Sequence, residues 1–140
     1  MNELLPALGY GVAYGLLGTV VLIASWFVLD LLTPGRLGEH LRTSHSAALV
    51  AATWVVTQGA IIFTAIWTNA SSTFGAALAW TVAFSAVGVL LQTATWRLVD
   101  LVTPGSLGEE VTEPGAVKPL AQLCAGVMVA VALIVIASIA

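Results

Sequence analysis

Two aspartates stand in nearly the same surroundings, 70 residues apart, in a chain of 140. The first is in Leu29-Asp30-Leu31-Leu32-Thr33-Pro34-Gly35-Arg36-Leu37-Gly38-Glu39. The second is in Val99-Asp100-Leu101-Val102-Thr103-Pro104-Gly105-Ser106-Leu107-Gly108-Glu109. The stretches agree at eight of eleven positions. Paired carboxylates can bind a cation or relay protons. They can equally anchor a helix end, accepting hydrogen bonds from the Thr-Pro-Gly turn or pairing with Arg36 or Arg97. A carboxylate at a helix C-terminus opposes the helix dipole, so either role requires a compensating partner.

Other chemistry is sparse. Glu39, His40 and His45 lack a metal-ligand spacing and read as a solvated loop. Gln58 and Gln92 lie inside apolar runs, where an amide needs a hydrogen-bond partner from another helix or from water. Cys124 stands alone in the last apolar run and reads as a small packing residue. There is no phosphate-binding glycine loop, Walker motif or nucleophile elbow. No catalytic residue, metal site or cofactor is expected, and the protein reads as non-enzymatic.

The elements that position these residues are membrane helices. Charged residues make up 8% of the chain and hydrophobic residues 59%, whereas charge is about a quarter of an ordinary soluble domain. Mean hydropathy is +1.03. Crossing the hydrocarbon takes about 20 apolar residues. The uncharged runs predict four helices, at 5–32, 45–68, 75–102 and 117–140. Asn69-Ala70-Ser71-Ser72-Thr73 divides the second from the third. Asn2 and Glu3 suit the start of the first helix as cap and first-turn acid. The N-terminus has no basic region, which argues against a cleavable signal peptide.

The 70-residue offset is the mark of an internal repeat. Two-helix units at 1–72 and 73–140 form one membrane domain. With two spans each, they insert in the same sense and are related by a pseudo-twofold along the membrane normal, as in parallel-repeat transporters. Arg36, Arg42, Arg97 and Lys118 all fall at one end of the helices. The positive-inside rule puts that end in the cytoplasm and both termini outside. Within the turns, Thr33 is expected to cap a short surface helix with Pro34 at its first position. Arg97 and Asp100, three apart, are spaced to pair. Trp26, Trp67, Trp80 and Trp96 are expected at the interfaces.

Ala7, Gly11, Gly15 and Thr19 recur every four residues on the first helix, a stripe that lets another helix backbone approach. Ala76, Ala79, Ala83 and Ala86 form a small-residue face on the third. An acidic pI near 5.0 offers nothing to nucleic acid. The expected partners are the lipid bilayer, further copies of the chain, and a membrane or cytoplasmic protein.

A helix ending in Asp, then Thr-Pro-Gly-x-Leu-Gly-Glu, then a small-residue helix opening Ser44-His45-Ser46-Ala47-Ala48, resembles the YjfL-like bacterial inner-membrane family, domain of unknown function 350. The resemblance covers essentially the whole chain. The family's Thr-Pro element maps to Thr33-Pro34 and Thr103-Pro104, and its acidic position to Asp30 and Asp100. Where its members often carry Asn, this chain has His45. The resemblance implies a bacterial multi-pass inner-membrane protein with no established activity. Two functional classes stand beside each other: a non-enzymatic oligomeric subunit or scaffold, and a small oligomeric channel or transporter for an ion or small cation.

Overall fold

The computed structural model describes residues 4–140; the Asn2 cap and Glu3 lie outside it. The fold is all-helical: α1 Leu4–Leu32, α2 Leu37–His40, α3 His45–Thr68, α4 Phe74–Val102, α5 Leu107–Thr112 and α6 Pro119–Ile139. Four of these, α1, α3, α4 and α6, are long and apolar enough to cross a membrane. At 1.5 Å per residue, the 29 residues of α1 and of α4 reach about 43 Å, well beyond the roughly 30 Å of hydrocarbon. Their last turns, carrying Asp30 and Asp100, therefore have room to stand in the interfacial layer.

The helices run up and down. α3 is the central element, packed along α6 and α4 and, less extensively, α1. Its own sequence explains the position. Ala47, Ala51 and Ala65 are small and almost fully buried, so neighbouring backbones come close; Trp54 and Ile61 fill the remaining volume. Most of the core lies toward the short-helix end. There Leu29, Leu37, Trp54, Trp96, Leu107, Val111, Cys124 and Met128 belong to one cluster. Ile61, Ala132 and Val135 form a smaller cluster toward the other end.

Trp96 is 2% exposed and belongs to the core. It is turned to protein instead of lipid because α4 directs that face toward α3 and α6. Trp67 and Trp80 are exposed. α4 also buries a different face from the one its alanines suggest. Ala77, Thr81, Ser85, Gly88, Gln92 and Thr95 point inward, while Ala79, Ala83 and Ala86 point outward. The physical reason is polarity. Hydroxyls and an amide gain hydrogen bonds from protein that lipid cannot give, whereas alanine loses little in lipid.

Buried hydroxyls fold back on their own helices, Thr81 onto Ala77 O and Ser85 onto Thr81 O. The amides bridge instead. Gln58 Nε2 donates to Ser85 O at 2.9 Å, and Gln92 Nε2 donates to Thr57 Oγ1 at 2.6 Å. Gly88 makes this approach possible. A Cβ there would sit 2.9 Å from Ile61 Cδ1 and 3.2 Å from Gln58 Oε1. At Gly18, 70 residues earlier, a Cβ would meet only Ile62 Cγ2, at 3.5 Å. Gly88→Ala is therefore expected to lower stability in detergent by about 1–3 kcal/mol through overpacking. Gly18→Ala should be near neutral; thermal unfolding of the pair checks the contrast.

Candidate functional site

Each aspartate belongs to the last turn of a long helix, where free carbonyls make a carboxylate unwelcome. The chain then reverses. Thr33 is 4% exposed and turns back on its own helix, its N–H and hydroxyl both donating to Leu29 O, at 3.1 and 2.9 Å. Thr103 does the same to Val99 O. Pro34 and Pro104 bring no N–H to continue the ladder. Gly35 and Gly105 then take φ of +80° and +109°, a region that disfavours side chains. The reversal carries the next leucine back over the aspartate. Leu37 N donates to Asp30 Oδ1 at 2.7 Å, and Leu107 N donates to Asp100 Oδ1 at 2.7 Å.

This geometry replaces the expected Thr33–Pro34 start of the short helix. Thr33 closes α1, and α2 begins at Leu37 after Arg36 in extended conformation. The glycine's left-handed turn separates the two helices, so Pro34 lies in neither. Ion pairing of the aspartates is also absent among the described residues, where the one salt bridge is Lys118 Nζ to Glu113 Oε1 at 2.9 Å. Asp30 and Asp100 point to backbone N–H groups instead of Arg36 and Arg97. That arrangement sinks Leu37 and Leu107 completely into the core.

The two turns lead into unequal short helices. Ser106 Oγ accepts a hydrogen bond from Glu109 N, capping α5, whereas Arg36 offers no such bond to α2. α5 runs six residues and α2 four. Glu39 and Glu109 are both exposed.

The loops are also joined to each other. Ser44 Oγ donates to Val111 O at 2.6 Å and caps α3 by accepting from Ala47 N. Gly115 N donates to Thr43 O, and His45 N donates to Gly115 O at 3.0 Å. His45 Nδ1 stands 2.7 Å from the same carbonyl. Lys118 N donates to Ser46 Oγ at 2.8 Å. The ring of Pro34 rests on Gly108, where a Cβ would come within 2.8 Å of it. Sequence reasoning set Ser44 and Ser46 at the opening of α3 but assigned neither a partner. Their signal was two hydroxyls at the mouth of an apolar helix, which must find partners once buried.

Beside α5 and the start of α6 lies a cavity of about 440 Å³, lined by Pro104, Gly105, Ser106, Glu109, Glu110, Glu113 and Leu120. Glu110 Oε2 is shut off from solvent without a hydrogen-bond partner. Among the described residues, no three His, Cys, Asp or Glu side chains group as a metal site. Deeper in the bundle, Trp54 Nε1, Gln58 Oε1 and Gln92 Oε1 are buried and unpartnered. Gly11 and Gly15 have open space where a Cβ would stand.

Asp30→Ala and Asp100→Ala each remove a hydrogen bond to a charged acceptor, a loss of about 1.5–3 kcal/mol. Both should lower the unfolding temperature in detergent. The Asn variants keep an acceptor oxygen and should fall less, and equal loss for Asn and Ala would contradict the anchoring role.

A family model described as Domain of Unknown Function (DUF350) matches residues 3–139. The chain is also similar to a UPF0719 transmembrane protein of Mycolicibacterium paratuberculosis (strain ATCC BAA-968 / K-10). The two are 30% identical over 116 residues, covering 81% of this chain and 76% of that protein. No solved structure matches.

Proposed function

Because this chain belongs to the DUF350 family of uncharacterised transmembrane proteins, we propose that it acts through assembly, as a non-enzymatic oligomeric subunit of the bacterial inner membrane. One observation carries this reading. Ala77, Thr81, Ser85 and Gly88 line the face of α4 that is buried in the bundle, with Ser85 and Gly88 against α3. The residues 70 positions earlier, Ala7, Gly11, Gly15 and Gly18, line the corresponding face of α1. There Ala7, Gly11 and Gly15 are exposed. α3 covers α4, but α6 makes no comparable contact with α1. Under a pseudo-twofold relating 1–72 to 73–140, α1 presents a helix-packing face that its own chain leaves open. A second copy supplies the missing helix.

Gly11→Leu and Gly15→Leu would hold two backbones apart. The expected result is a fall in oligomer mass in mild detergent with helix content unchanged; wild-type mass in both variants refutes the reading. A second reading, a channel or transporter, draws on the row of Thr57, Gln58, Thr81, Ser85, Gln92 and Thr95, all buried inside the bundle. Cation or proton flux through liposomes containing the wild-type chain, abolished by Gln92→Leu, would favour that reading over a scaffold.

The four basic side chains at the short-helix end support a cytoplasmic position for that end, with both termini outside. Cysteines at positions 36 and 71, both exposed, should label from opposite sides of intact cells with an impermeant maleimide. Labelling of both from one side overturns the four-span topology.

A further inference from the structure

The two turns share a backbone plan but not their charge. Arg36 of the first stands where the second has Ser106, His40 where it has Glu110, Arg42 where it has Thr112, and Thr43 where it has Glu113. The first loop carries two arginines against Glu39; the second carries Glu109, Glu110 and Glu113 against Lys118. Arg36 and Arg42 line the first loop, Arg36 exposed and Arg42 exposed, and neither forms a salt bridge among the described residues. Lys118 is engaged with Glu113, which leaves Glu109 and Glu110 without a cation among the described residues.

The acidic side is concave. Glu109, Glu110 and Glu113 line the cavity of about 440 Å³ between α5 and α6. Glu110 lines it half-buried, and its Oε2 has no hydrogen-bond donor, a costly state for a buried carboxylate oxygen. The donor set does not group for a metal ion. A guanidinium fits better, because its planar fork serves two carboxylate oxygens at once and it loses less hydration than an ammonium.

We propose that the acidic cavity of one copy receives the first-loop arginines, Arg36 and Arg42, of a neighbouring copy, joining subunits head to tail around an axis along the membrane normal. The proposal rests on the oligomeric reading above and specifies its geometry. A twofold contact centred on either loop would set like charges together. A head-to-tail contact sets unlike charges together, and it repeats around a ring. Around such a ring, α1 and the basic loop of one copy stand against α6 and the acidic loop of the next, with the open Ala7, Gly11 and Gly15 face at the far end of α1 from the loop.

The test uses full-length chains with reversed charges: one carrying Arg36→Glu and Arg42→Glu, the other Glu109→Arg and Glu110→Arg. Each alone should self-associate more weakly, by on the order of tenfold. Co-expressed, they should associate again into mixed assemblies that hold both chains, because each loop then meets a complementary neighbour. A pairing within one chain gives no such recovery and overturns the proposal. Oxidative cross-linking of Arg36→Cys/Glu109→Cys in a Cys124→Ala background depends on no charge reversal. It should yield a ladder of dimers, trimers and larger species, while neither single cysteine cross-links. Dimers from Arg36→Cys alone would indicate a twofold contact and overturn the head-to-tail geometry while leaving the oligomer intact. A wild-type chain that is monomeric in both detergent and membranes overturns the oligomeric reading itself.

Discussion

The short-helix end depends on a hydrogen bond from a leucine N–H to an aspartate at the end of a long helix. A carboxylate in that place is repelled by the carbonyls around it, and a chain that reverses there leaves N–H groups facing a region poor in water. Each problem answers the other. Asp30 accepts from Leu37 N, and Asp100 accepts from Leu107 N, at the same 2.7 Å. The proline ends the ladder, the glycine supplies the left-handed step, and the threonine closes the carbonyl left behind. Once the reversal is fixed, Leu37 and Leu107 have no alternative to the core.

Inside the bundle the same scarcity of partners sets the packing. α4 turns its hydroxyls and Gln92 toward protein and its alanines toward lipid. In water the opposite choice would be natural. Here the apolar surface gains nothing by leaving lipid, so hydrogen bonds and close backbone approach decide which face is buried. Gly88 is where both act together: it admits Ile61, and it lets Gln58 reach across to the Ser85 carbonyl.

Much of this was legible in the sequence. Uncharged runs located the four long helices to within a few residues, because the thickness of the hydrocarbon sets a length that composition can reveal. The Asp/Thr-Pro-Gly stretch pointed to the turns, and Gln58 to an interhelical bond. The aspartates' partners were harder to read. Arg36 and Arg97 are prominent as charges, whereas the actual donors are the backbone N–H groups of Leu37 and Leu107, which every residue except proline carries. The buried face of α4 was missed because small residues occupy both sides of that helix, and only the neighbours decide between them. Ser44 and Ser46 were placed at the helix opening, but their roles stayed hidden because their partners, Val111 O and Lys118 N, lie some 70 residues away in sequence.

The join between the loops has a consequence for biosynthesis. The groups that secure Thr43, Ser44, His45 and Ser46 come from Val111, Gly115 and Lys118, which leave the ribosome only after α4 has been made. A half-synthesised chain can insert α1 and α3 as a hairpin and complete the Asp30 turn locally. The mouth of α3 must wait, with its polar groups held by interfacial water or lipid headgroups. Closure of this end is thus a late event, and its contacts are non-local in a molecule whose other turns are local. In the cell, the nascent first half presents an unfinished polar edge at the membrane surface until the second half arrives to cover it.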